Sequence, residues 1–370
     1  MFKKYKILKW LLTSLGIIIV FTVALGFYIA SLLPEENTNL KNSKASDLAY
    51  NNEAITTDRG KILAVVTSTD TMGLSGKATG FELTELARAY YVFKANGFDV
   101  DVASPLGGEA PVVLDDDDMG RFDYAFLNDS ITQQKIKQTI ALEDINPNAY
   151  KAIYFVGGKG AMFDFPDNQY IQRMVKDFQK TNKIIGAVCH GPAALTKVTL
   201  ENGDPFVKHR TVSGFTNAEE LLLIPDANTI FPFLLQDKLI AQGAVFNEGD
   251  MYLEKISVDK NLVTGQNPWS VWTLAESMVQ QLGYTPKERA ITADENAVHV
   301  LQVFKSEGLE HAKAQIKHII KTKEQELSRA LLVEHSAIAI LQVQPKTFFD
   351  VLSLAAYAKE LQEEYRATTK

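Results

Sequence analysis

Cys189, the single cysteine of the 370-residue chain, is followed directly by His190 within residues 183–198, KIIGAVCHGPAALTKV. A thiol with an imidazole beside it pairs a nucleophile with a base. Residues 184–188 form a short apolar run, and Gly191, Pro192 and the helix-favouring Ala193, Ala194 and Leu195 follow the pair. A strand that stops at a small-x-nucleophile-x-Gly turn and restarts as a helix is a nucleophile elbow. Ala187 and Gly191 supply the small flanking residues such a turn demands, and Pro192 suits the first turn of a helix. A thiol at a helix N-terminus sees the positive end of the dipole, which favours the thiolate. The other fate of a lone cysteine, a small buried hydrophobe, leaves this surrounding pattern unexplained.

Thiol catalysis also needs a group to orient the base and donors for an oxyanion. Glu219 and Glu220 follow VSGFTNA (212–218), a strand-like stretch that leads into a helix start, and either can orient an imidazole. Gly157, Gly158, Lys159 and Gly160 place unhindered backbone N–H groups at a strand end. Glu82 and Glu85 lie in a helix after the first strand.

The elements that must carry these residues alternate. ILAVVTS (62–68), FDVDVAS (98–104), residues 150–156, 184–188 and LVTGQ (262–266) read as strands. Residues 81–96, 169–181 and 270–282 read as helices, with Gly97 stopping the first. Strand–helix–strand alternation with short glycine-marked turns predicts a parallel α/β sheet covered on both faces. Sheets of this kind place ligands at the carboxyl ends of their strands, where the elbow falls. Asp115 to Asp118 read as a solvated acidic loop.

Outside this block the character changes. Residues 10–33 carry no charge and would rise about 36 Å as a helix, enough to cross a bilayer. Lys3, Lys4, Lys6 and Lys9 precede them, Glu35 and Glu36 follow, and no cleavage box is evident. The expectation is an uncleaved single-pass membrane anchor through residues 10–33, with the N-terminus cytoplasmic and the bulk of the chain extracytoplasmic. Residues 34–57 are rich in Asn, Ser and charge and read as a linker. After Gly283, residues 295–304, 309–326, 329–342 and 347–365 carry apolar side chains at three- and four-residue intervals, which predicts an all-helical extension over 285–370. That extension is a candidate surface for a protein partner. The net charge of −7 argues against nucleic-acid binding, and the 6 histidines show no zinc-ligand spacing.

TGFELTEL (79–86), VDVASPLGG (100–108), FVGGKGAMFDF (155–165), AVCHGPAAL (187–195), VSGFTNAEE (212–220) and VTGQNP (263–268) occur in the order found in the PfpI-like superfamily, which residues 58–284 resemble. The superfamily has a flavodoxin-like fold related to class I glutamine amidotransferases. The segments are most similar to its glyoxalase III (D-lactate dehydratase) and heat-shock chaperone branch. The resemblance implies Cys189 as nucleophile, His190 as base, Glu220 as the acid orienting the histidine, and Glu85 as the carboxylic acid on the sulfur. It implies an oxyanion hole from the backbone of Gly158 and Lys159 with the N–H of His190. Position 159 is Lys where many relatives carry His. The activity implied is conversion of a 2-oxoaldehyde such as methylglyoxal, a small reactive carbonyl, into a 2-hydroxy acid through a hemithioacetal, with no glutathione, metal or other cofactor. Relatives are often homodimers. A redox-responsive chaperone and a cysteine peptidase or amidase are the competing readings of the same site, the latter weakened because no late His-x-Glu follows.

Overall fold

Apolar runs pair into one seven-stranded sheet among the described residues, which are 2–34, 39–115 and 117–368 of this computed structural model. The strands are β1 (Lys61–Val65), β2 (Asp99–Ser104), β3 (Ile140–Ala141), β4 (Tyr150–Phe155), β5 (Ile184–Val188), β6 (Ile256–Asp259) and β7 (Leu262–Gly265). Their order is β6-β7-β5-β4-β1-β2-β3, parallel throughout except for the β6–β7 hairpin. β5 is buried at every residue, and β1 and β4 at all but one. This is why they read as unbroken apolar runs and not as alternating ones.

The register sets the carboxyl ends level. Val65 pairs with Phe155, Phe155 with Ala187, and Val188 with Gly265. From β1 the chain steps outward to β2 and β3, then crosses back to β4 on the other side of β1. The strand order therefore reverses between β1 and β4, a switch point that opens a crevice beyond the strand ends. The segments leaving β1, β4 and β5 all meet there.

The chain divides into two units, Asn37–Ala290, which holds this sheet, and Met1–Glu36 with Ile291–Lys370. The first unit includes α2 (Leu83–Ala95), α3 (Gln169–Lys180), α4 (Asn217–Leu223) and α5 (Val271–Gln281), numbered after the N-terminal α1 (Phe2–Leu32). In α3, Ile171, Met174, Val175 and Phe178 form the buried stripe of an amphipathic helix, and Asn168 Oδ1 accepts from the N–H groups of Tyr170 and Ile171 to start it. The helix reading over 81–96 is shortened at its start. Phe81 and Glu82 form a two-residue strand, and the helix begins at Leu83.

The second unit contains α1, α6 (Ala293–Glu307), α7 (Leu309–Lys317), α8 (Arg329–Leu341) and α9 (Pro345–Thr368). α7 is shorter than its periodicity predicts, because the chain widens into a π turn over His318–Thr322 and leaves the helix. Within α1, Leu12–Leu32 is long and apolar enough to cross a membrane. Its last turns are not isolated: Leu32 is buried, and Lys359 Nζ of α9 donates to the Ser31 carbonyl at 2.8 Å.

Residues 39–57 correct the linker expectation. They form short 3-10 turns and a one-turn helix, and they bury Leu48 and Tyr50 in the hydrophobic cluster of the sheet. Tyr50 lies edge-on to Phe122 and its hydroxyl accepts from Asn96 Nδ2, while Asn128 Nδ2 donates to the carbonyls of Lys41 and Ser43. Polar composition misleads here because two apolar side chains suffice to dock a short segment. Leu48→Ala is expected to destabilise the α/β unit by about 2–5 kcal/mol, as for other buried leucines. Denaturant unfolding checks this, and a freely hanging linker would show no change.

Candidate functional site

Cys189 leaves β5 with φ +56, in the left-handed region that side-chain-bearing residues rarely adopt. The strain is held from both sides. Its N–H donates to the Gly265 carbonyl at 3.0 Å and its carbonyl accepts from the Phe215 N–H at 2.9 Å. The turn throws the thiol out of the sheet line, as the elbow pattern predicts. The chain does not restart as a long helix. Gly191–Leu195 is a five-residue 3-10 segment, so little dipole acts on the sulfur.

His190 is buried beside it, with Nδ1 3.3 Å from Cys189 Sγ and Nε2 2.6 Å from Glu220 Oε2. A carboxylate only accepts, so Nε2–H donates to Glu220 and leaves Nδ1 free to accept the thiol proton. The rings of Phe215 and Phe231 flank the imidazole, with centroids 4.6 Å and 6.1 Å away.

Glu219 and Glu220 are separated by a physical signal that the sequence carries. Thr216-x-x-Glu219 is a capping box that opens α4. Glu219 Oε2 accepts from the Thr216 N–H and hydroxyl, and Oε1 accepts from the Tyr252 N–H, Gln266 Nε2 and Asn267 Nδ2. Every lone pair of Glu219 is used in holding the loops together. The next residue round the helix, Glu220, is the one that faces His190.

Glu85 approaches from the other side of the crevice, fully buried in the first turn of α2. Oε2 accepts from the Gly157 N–H at 2.7 Å, and Oε1 is buried on the Cys189 side with no hydrogen-bond partner among the described residues. A Cβ on Gly157 would lie 2.5 Å from Glu85 Oε2 and 2.8 Å from Cys189 Cβ, so only glycine fits between acid and nucleophile. Tyr154 Oη donates to the Glu85 carbonyl at 2.9 Å and fixes the helix start. Among the described residues, the N–H groups of Gly158, Lys159 and His190 donate to no backbone carbonyl. The structure thus brings all the residues singled out from the sequence to one crevice. Phe215, Phe231, Tyr252, Gln266 and Asn267 join them without having been singled out.

Burial dominates the electrostatics. It pushes the Glu85 carboxyl well above the usual range, helped by the neighbouring Glu82. Glu82 is itself pushed up to about 8 by burial, against the pull of Lys159. The Cys189 thiol is also pushed up, by burial and then by Glu85, and Lys159 acts in the opposite direction. This reverses the expectation of a dipole-favoured thiolate. When Glu85 holds its proton the opposing charge vanishes, and the carboxyl can donate to sulfur. Among the described residues no cluster of three His, Cys, Asp or Glu side chains is spaced to hold a metal ion.

A parallel sheet with a strained cysteine at the switch point, backed by histidine and two carboxyls, defines a class. The DJ-1/PfpI family model matches residues 77–281, more than half of the chain, and the protein belongs to that family. Glyoxalase 3 of Candida albicans is 27% identical over 230 residues, covering 59% of this chain and 96% of its own. Glutathione-independent glyoxalase HSP31 of Saccharomyces cerevisiae is 26% identical over 235 residues, covering 60% and 97%. Among solved structures, the Rapid Encystment Protein 24 KDa of Francisella tularensis is similar at 35% identity and a TM-score of 0.57, covering 60% of this chain and 99% of that one.

The buried Glu85 has a stability consequence whose sign is definite. Below about pH 4 both native and unfolded states carry its proton. As pH rises the unfolded chain ionises first while the native state retains the proton, so stability falls until the raised native value is passed. Glu85→Gln removes that loss. Its Tm is expected to exceed the wild-type value by several degrees at about pH 7–8 and to match it near pH 4, as read by calorimetry.

Proposed function

We propose that this protein is a glutathione-independent glyoxalase that converts a 2-oxoaldehyde such as methylglyoxal into a 2-hydroxy acid. The observation that carries the reading is a thiol flanked by two separate proton-handling groups, His190 through Nδ1 and Glu85 through its carboxyl. Acyl transfer to water is served by one base that returns its proton to a leaving group. Moving hydrogen between adjacent carbons needs a second acid–base group next to the nucleophile, and Glu85 supplies it. The names of the curated relatives point the same way.

Cys189 sulfur adds to the aldehyde carbon as His190 Nδ1 takes the thiol proton and delivers it to the new oxygen. Glu220, holding Nε2–H, keeps the tautomer and steadies the transient imidazolium. Glu85, once it has lost its own proton to solvent, removes hydrogen from the sulfur-bearing carbon. The electron pair forms the enediol double bond, and the former ketone oxygen gains the charge that the N–H groups of Gly158, Lys159 and His190 are placed to stabilise. Return of that proton to the second carbon, with His190 moving the hydroxyl proton from the first oxygen to the second, leaves a thioester. Water hydrolyses it, releasing the 2-hydroxy acid and the thiol. A raised carboxyl proton affinity suits a group that must both take and give a proton.

Within this reading the α/β unit is the flavodoxin-like catalytic part, working as a homodimer. α1 is an uncleaved single-pass anchor with its lysines in the cytoplasm and the catalytic unit on the far side, supported by the charge asymmetry about an apolar helix. Mass spectrometry of the mature N-terminus tests the anchor, and a processed start inside residues 10–33 would remove it.

Purified protein is expected to form the 2-hydroxy acid from methylglyoxal without added glutathione. Cys189→Ala should lower kcat/KM by at least about 10³-fold, the scale seen when a covalent nucleophile is lost. Undiminished turnover by the alanine variant would sink the mechanism.

A further inference from the structure

Glu85 is fully buried and Cys189 nearly so, yet the reaction assigned to them moves protons that must exchange with the surroundings. The structure contains one half-buried carboxyl on the same turn of chain. Glu82 is the N-cap of α2 and Glu85 is its third residue. In an ordinary capping box these two positions bond to each other. Here Gly157 is interposed: it receives the Glu82 N–H at its carbonyl (3.3 Å) and gives its own N–H to Glu85 Oε2 (2.7 Å). Neither carboxyl is tied up in capping. Glu82 Oε1 is buried and accepts no hydrogen bond among the described residues. An unpartnered carboxyl oxygen buried beside an acid–base group has no structural task there.

Resting on the glyoxalase reading, we propose that Glu82 is the proton relay of Glu85: Glu82 takes up the proton that Glu85 gives up and exchanges it with solvent. Buried carboxyls three residues apart at the start of one helix do not both ionise readily, so one holds a proton while the other acts as base. Glu85 takes hydrogen from the sulfur-bearing carbon, that proton passes to Glu82 and is exchanged, and a proton of solvent origin returns through Glu85 to the second carbon. One proton enters and one leaves, with no change of oxidation state. The charged groups acting on the pair are Lys159 and Arg88, which favour ionisation, and Asp115 and Asp118, which oppose it at Glu82. Arg88 is already engaged with the Asp118 carbonyl and Asp123. Lys159 is therefore the cation left to steady the Glu82 carboxylate each time it gives up its proton. Glu82 is a positioning residue that acts through Glu85 and need not touch substrate.

The test is turnover of unlabelled methylglyoxal in D2O by the full-length protein, with deuterium at C2 of the 2-hydroxy acid measured by NMR. Wild type is expected to place solvent deuterium at C2 in most product molecules. Glu82→Gln, isosteric but unable to relay, should lower that fraction several-fold, because Glu85 then returns the hydrogen it took. Its kcat should fall by about tenfold, within the range of general acid–base contributions. The acidic limb of its pH profile should move to lower pH, since the neighbour that raises Glu85 is gone. Glu82→Asp, which keeps a carboxyl, should restore the label. A merely structural role would change rate without changing isotope content. Equal labelling in wild type and Glu82→Gln overturns this inference alone, whereas absence of any 2-hydroxy acid from wild type overturns the glyoxalase reading and this inference with it.

Discussion

The site depends on one peptide unit that has no side chain. Gly157 follows β4 at the switch point, and its N–H and carbonyl are both bonded to the first turn of α2. Glu85 and Cys189 approach each other through the space its missing Cβ leaves open. A methyl group there would separate Glu85 from Cys189 or break the bond that aims the carboxyl. The carboxyl ends of β1, β4 and β5 have to be level for this to work, and the parallel register makes them so.

Around that point the protein spends stability on function. Cys189 sits at φ +56, and Glu82, Glu85 and the thiol are all held where their charged forms are disfavoured. Strain and desolvation of this kind persist only where the surroundings over-determine the geometry. Glu219 shows how that is done. It is a buried carboxylate whose two oxygens collect five donors from α4, the Tyr252 loop and the turn after β7. It fixes the helix from which Glu220 reaches the imidazole. The neighbouring glutamates look interchangeable in the sequence and do different jobs.

The sheet was largely legible because buried parallel strands must be apolar runs, and residues 184–188 and 152–156 are. The elbow was legible because its turn demands small residues at 187 and 191. What stayed hidden depended on contacts distant in sequence. Leu48 and Tyr50 are two apolar residues in a polar stretch, and nothing local reveals that they dock. The direction of the thiol's proton affinity is hidden for the same reason. The local pattern announced a helix dipole, whereas the controlling facts are burial and a carboxyl about a hundred residues upstream. Glu220 was distinguishable from Glu219 by the Thr216 capping box, a local signal that was there to be used.

The unit that contains α1 is assembled from the first 36 residues and the last 80 or so, with the α/β unit between them in sequence. Synthesis is vectorial, so α1, made before the α/β unit, waits through the making of some 250 residues before α8 and α9 exist to pack on it. The α/β unit, whose strands and helices are contiguous in the chain, meets no such delay. Domains complete on synthesis fold as units during elongation. The order of assembly is therefore written into the topology: enzyme first, and the helical clasp on Ser31 and Leu32 only after α9 has been made.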